Sequence, residues 1–273
     1  MRGDRHIIEA MGKTRIVVEN GKVVEVGEPA VDYCPLFYKY RGIETLTPGK
    51  VRENIEFRIS DFGMCTPGRK LRMRDFLSFG VSELMAMCVR EGTFDCAVLV
   101  TDGAGTVVVD EPELIQGIGG RISGVVETSA HQEVVDALGR DRVLDPEGGA
   151  IDQVRGCELA DDLGFRGVGV TVASGEDARG IRELLGDRAT VFAVHLTGIG
   201  EEEAEEIFDT CDVVTACASG PVRKVGSRRA RLTVGSRIPI YASSERGEGI
   251  LRRRLERVGK SSGGEEDPPR PLV

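Results

Sequence analysis

The sequence has no tryptophan, two asparagines and three glutamines in 273 residues. Few amides beside abundant Arg, Glu and Val is a bias of proteins that work hot, where ion-pair networks contribute more and labile side chains are avoided. No apolar run approaches the roughly 20 residues of a membrane-crossing helix. The opening MRGDRHIIEA lacks the apolar stretch of a secretory signal, so a cytoplasmic protein with no membrane partner is expected. The seven cysteines include no C-x-x-C pair. Spacing therefore supports no zinc knuckle, thioredoxin site or iron–sulfur cluster, and the cofactor stays open: a metal or cluster would have to be assembled from distant loops. An odd number of cysteines inside a cell is expected as thiols or ligands, not as a disulfide framework. Positive charge is also short, with a net charge of −9. This argues against nucleic acid, whose phosphates need clustered Lys and Arg. Two basic runs, RKVGSRRAR at 223–231 and RRRLER at 252–257, read first as solvated faces and second as a surface for an acidic protein partner.

What is present is a strong alternation of strands and helices. TRIVVENGKVVEV, 14–26, is a hairpin with Asn20-Gly21 in its turn, a pair that accepts positive φ angles. Thr47-Pro48 reads as a helix start. Val51, Ile55, Ile59 and Phe62 recur at helical spacing, and Gly63 stands where a helix stops. This disposes of Asp61-Phe62-Gly63 as a kinase metal triplet, because the glycine-rich loop, strand lysine and HRD-type loop of a kinase are missing. A further helix is expected over about 75–91. Beyond it, DCAVLV, VVVD, RISGVVE, GVGVTV, TVFAVHL, CDVVTA and RIPIYA read as strands. Helices are expected over 131–139, 149–163, 175–185, 201–209 and 246–258. Such alternation predicts an α/β fold with a mostly parallel sheet flanked by helices and an N-terminal β-hairpin region outside it. The expected organisation is a hairpin and helical region over 1–92, an α/β domain over 93–259, and a disordered tail over 260–273, where periodicity is lost.

Open α/β sheets bind ligands beyond the carboxyl ends of their strands. The residues at those positions are Gly, Ser, Thr and His. Asp102, Arg121, His131, Ser174, His195, Thr197 and Ser219 are the candidates for holding a small anionic ligand. Helix caps demand several of the same residue types. Asp102 in TDGAGT could bind a metal or a ribose, or could open a plain D-G hairpin. QGIGGRISG, 116–124, has the wrong spacing and the wrong order of elements for a dinucleotide loop. Cys34, Cys65 and Cys217 fall in polar connections and are candidates for a thiol or metal site, weighed against three unrelated thiols. Cys88 and Cys96 read as core.

HIIEAMGKTRIVVENGKVVEVGEP, YCPLF, DFGMCT, RMRDFLSFGVSE, DGAGTVVVDEPELIQGIGGRISG and CDVVTACASGPVRKVG resemble the methanogenesis marker protein 8 family over about residues 6–258. The resemblance implies a cytoplasmic protein of methanogenic archaea and carries no residue roles. On it rests the expectation of an accessory or maturation protein of the methane-forming machinery, serving coenzyme M reductase or its cofactors through a thiol or metal site and meeting a protein partner there. The alternative is an enzyme acting on a small anionic metabolite at the strand-end loops.

Overall fold

The structure, a computed structural model, describes residues 3–74, 79–120, 124–235, 237–259 and 267–273. It opens with three antiparallel strands, β1 (Arg5–Ala10), β2 (Thr14–Glu19) and β3 (Lys22–Val26). The turn between β2 and β3 is the expected one, with Asn20 and Gly21 both at positive φ. Helices α1 (Pro35–Arg41) and α2 (Pro48–Phe62) follow. Thr47 caps α2 by accepting the amide of Lys50, and Gly63 ends it in the left-handed region. Val51, Ile55 and Phe62 of α2 bury against Ile8, Ile16 and Val18 of the sheet. The stripe read from the sequence is thus the seam of a small N-terminal core.

The second sheet holds β4 (Cys96–Thr101), β5 (Gly105–Val109), β7 (Val168–Val172), β8 (Ala189–Ala193), β9 (Val213–Thr215), β10 (Leu232–Val234) and β11 (Ile240–Ala242), in the order β10-β11-β9-β8-β7-β4-β5. The four central strands pair in parallel, and antiparallel strands close both edges. One face is covered by α6 (Gln153–Asp162), α7 (Gly175–Leu185), α8 (Glu201–Thr210) and α9 (Gly220–Arg229), which pack on Val98, Val170, Val191 and Val214. The other carries α3 (Val81–Arg90), α4 (Pro112–Gly119), α5 (Gln132–Leu138) and α10 (Glu245–Val258), packed around Leu99, Phe192 and Val213. Burial on both faces is why these strands read as unbroken apolar runs. Among the described residues, no helix is long and apolar enough to cross a membrane.

Several expectations need amendment. The helix expected over 75–91 begins at Val81, and 75–78 lie outside the described residues. The helix expected from 149 starts at Gln153, where Asp152 caps it. Strand β1 was not anticipated, nor was β6 (Val125–Glu127), taken from RISGVVE, expected to leave the large sheet and pair with β1. The N-terminal sheet therefore draws its fourth strand from beyond residue 93, and the two regions interlock. The tail also differs. Residues 260–266 lie outside the described residues, but Asp267–Val273 pack back: Arg270 bridges to Tyr33, its guanidinium stands 4.2 Å from that ring, and Val273 exchanges backbone hydrogen bonds with Ala218 and Gly220. One aromatic ring and free main-chain groups hold this segment without a periodic apolar pattern.

The N-terminal sheet lies along the carboxyl ends of the large one. The start of β1 meets the loop after β6, where the Arg5 main chain bonds both the hydroxyl and the amide of Ser129 and His6 reaches Thr128; Thr128 and His131 of that loop in turn bond Gly103, just past β4. The far end of β1 meets the loop after β8, where Lys13 donates to the carbonyl of Thr197. Helix α10 closes the opposite edge through Gly247, where a Cβ would stand 1.9 Å from the Asp212 carbonyl, while at Gly249 nothing lies within 4 Å. Gly247→Ala is expected to destabilise the protein by about 1–3 kcal/mol through overpacking. Gly249→Ala, two residues along the same helix, is expected to stabilise it by roughly 0.5–1 kcal/mol. Urea denaturation of the two variants checks the opposite signs.

Candidate metal centre

Asp4 and His6 are two residues apart in extended chain and so lean to the same side. They meet His131, which sits just before α5 with its amide on the carbonyl of Gly103. Asp4 Oδ1 is 2.8 Å from the Nε2 of His6 and 2.8 Å from the Nε2 of His131. The three ligand atoms all lie within 4.8 Å of one another. Donors about 2.0–2.1 Å from a tetrahedral ion stand about 3.3 Å apart, so a slight spreading of these side chains would admit one.

The surroundings fix the rings. His6 is fully buried, and its Nδ1 lies 2.7 Å from Thr128 Oγ1, which also accepts the amide of Gly103. A ligating histidine is commonly held this way, through its other nitrogen. The two imidazoles pack edge to face at 5.0 Å. His131 Nδ1 is buried with no partner, so the ring's one polar engagement is through Nε2, toward Asp4. Burial, and secondarily the neighbouring His131, push the pKa of His6 below the usual imidazole value, against the pull of Asp4. A neutral imidazole is the form that binds a metal. The Asp4 side chain is 26 % exposed, which leaves the constellation open on one side.

Beneath it lies a buried ion pair. Asp102 uses both oxygens: Oδ1 accepts from Arg69 Nε at 2.9 Å and Oδ2 from the amide of Cys65 at 2.6 Å. Both side chains are wholly buried. Arg69 also donates to the carbonyls of Lys70 and Gly117, and its guanidinium stands over the ring of Phe62. The turn after Gly63 produces this, since Cys65 at φ 55° aims its amide at the carboxylate. The Cys65 thiol is pushed well above its usual pKa by burial first and then by Asp102. It is an inert neutral thiol, not the accessible one expected from its polar neighbourhood.

The other expected residues divide. Asp102 is a buried anchor. Ser174 accepts from Asp177 N and Ser219 from Val222 N, so both cap helices. Arg121 lies outside the described residues. His195 pairs with Glu9 at 2.7 Å, and the Thr197 carbonyl receives Lys13. Among the described residues the sulfurs of the three cysteines form no group within 4.8 Å of one another, although Cys34 and Cys217 are neighbours. Cys217 is pushed up to about 11 by burial and then by its neighbour Cys34, whose own thiol burial also raises, while Cys65 belongs with Asp102. Asp4, His6, Glu9 and Thr128 were not singled out from the sequence. The one signal for the first two was Asp-x-His at the edge of RHIIEA, a pattern with little specificity.

Two imidazoles and a carboxylate form a donor set suited to Zn, Fe(II), Co or Ni ions, with room for further ligands on the open side. Such an ion could orient and polarise an anionic group or activate a bound water.

The chain belongs to the archaeal family DUF2099, described as an uncharacterized protein conserved in archaea, which matches residues 6–256. It is 43% identical over 262 residues to "Uncharacterized protein MJ0054" of Methanocaldococcus jannaschii, across 94% of this chain and 92% of that one. No solved structure matches.

Removing one member of the buried pair should be costly. Arg69→Met leaves the Asp102 carboxylate without its cation and is expected to destabilise the protein by about 3–5 kcal/mol, read as a lowered midpoint in chemical denaturation.

Proposed function

We propose that the protein is a metal-dependent accessory or maturation protein of the methane-forming machinery, holding a divalent transition ion between Asp4, His6 and His131. The observation that carries this reading is the meeting of three ligand atoms within 4.8 Å, two of them on buried imidazoles, at the carboxyl end of a parallel sheet. That is where α/β proteins place their ligands. The methanogenic setting rests on the resemblance of the quoted strings to methanogenesis marker protein 8, and membership of an archaeal family is compatible with it. In that setting the ion, or the anionic group it orients, would serve coenzyme M reductase or one of its cofactors in the cytoplasm, together with a protein partner.

Of the two branches of the sequence expectation, metal is favoured over thiol. Among the described residues Cys34, Cys65 and Cys217 form no three-sulfur group of metal-binding spacing, and burial disfavours every one of their thiolates. A second reading, an enzyme acting on a small anionic metabolite, draws support from the His195–Glu9 pair at the other end of β1.

Protein purified anaerobically from its native host is expected to carry a stoichiometric transition metal by elemental analysis. His131→Ala and Asp4→Asn should lose it while keeping the helical circular dichroism of the parent. A parent protein that neither carries such an ion nor takes up Zn, Ni, Co or Fe(II) on addition would overturn the reading.

A further inference from the structure

We infer that Glu9, His195 and Lys13 form a second site, in which His195 takes a proton from a small substrate whose carboxylate or phosphate group is held by Lys13. His195 stands two residues past β8, at the carboxyl end of a central parallel strand. Its φ of 62° lies in the left-handed region, uncommon for a residue with a side chain although histidine enters it more readily than most. The Nε2 is 2.7 Å from Glu9 Oε2. Glu9 thus takes the Nε2–H, the neutral ring keeps its lone pair on Nδ1, and the carboxylate is in place to stabilise the imidazolium formed on protonation. The side chain is 17 % exposed, and Nδ1 is the ring nitrogen that Glu9 does not engage. Gly124 packs against the Cε1–Nε2 edge of the ring. A Cβ there would stand 2.5 Å from Cε1 and 2.6 Å from Nε2 of His195, and 2.5 Å from the Glu9 carbonyl. The Glu9 amide in turn donates to the Gly124 carbonyl at 2.7 Å. The dyad is therefore clamped from the main chain, as a base that must keep its direction requires.

Lys13 supplies the charge. It is half-buried, its φ is 58°, and its Nζ donates to the carbonyl of Thr197 at 2.7 Å, two residues beyond His195. Among the described residues no carboxylate lies within ion-pair reach of it, in a chain where ion pairs are dense. A half-buried ammonium without a counter-ion favours an oxyanion beside it. The step is a plain proton transfer. The substrate's acidic C–H or O–H bond breaks, its proton forms the Nδ1–H bond, and the electron pair stays on the substrate as an enolate or alkoxide. The imidazolium later returns the proton to the product.

This site does not rest on the metal reading, and the test is run on protein stripped of metal over a chelating resin. Diethyl pyrocarbonate reacts with accessible, unprotonated imidazole nitrogen, and peptide mass spectrometry locates the label. Of the three histidines, His195 is expected to react fast and the buried His6 and His131 slowly. Inorganic phosphate or acetate should protect His195 in a saturable way; protection by phosphate alone would mark a phosphorylated substrate, and by acetate a carboxylate. Lys13→Ala should leave His195 reactive and abolish the protection, and Glu9→Gln should slow the labelling several-fold. A refractory His195 in the parent protein, no protection by either anion, or protection undiminished in Lys13→Ala would overturn the inference.

Discussion

The buried pair of Arg69 and Asp102 holds the molecule's working edge together. Asp102 directly follows strand β4, whereas Arg69 and Cys65 belong to the turn that follows the N-terminal helix α2. One carboxylate thus ties the turn after α2 to the large sheet with two hydrogen bonds buried from solvent, where leaving either partner alone would be expensive. Gly117 adds the third tie, through its carbonyl on Arg69. With this anchor set, β1 must run along the carboxyl ends of the parallel strands. Every functional candidate at that edge follows from this placement: the groups at the start of β1 face the loop after β6, and those at its end face the loop after β8.

The chemistry of the edge is imidazole and carboxylate more than thiol. Burial raises the pKa of each cysteine that was a candidate, and the electrostatic neighbours at Cys65 reinforce the effect. At His6 the same burial favours the neutral ring. One physical cause, desolvation of charge, therefore disfavours these thiolates and favours the neutral ring of His6.

Much of the fold was legible in the sequence, because its large sheet is buried on both faces and writes its strands as apolar runs. Thr47-Pro48 and Gly63 marked the ends of α2 with side chains whose geometry is local. Strand β1 was not legible. RHIIEA has only two adjacent isoleucines between polar residues and no clear alternation, and it is buried only because β2, β6 and the edge of the other sheet surround it. Helix α9 was hidden by the charges of RKVGSRRAR, which pair with Glu201, Glu205 and Asp209 of α8. For the site, the rule of strand ends found His195; it also reached His131, but behind β6, a strand of the small antiparallel sheet, and it could not find the partners of either. Asp4, His6 and Glu9 come from a strand of another sheet, more than 100 residues away in sequence, and no spacing motif encodes that meeting. The same rule promoted Ser174 and Ser219, whose hydroxyls are spent on helix caps.

The central claim is that an N-terminal strand laid across a parallel sheet completes a histidine–carboxylate metal centre. X-ray absorption at the edge of the metal carried by anaerobically purified protein tests it most directly. The account predicts a shell of nitrogen and oxygen at about 2.0–2.2 Å with the outer-shell scattering of imidazole. A sulfur shell near 2.3 Å would place the ion on the cysteines and contradict it.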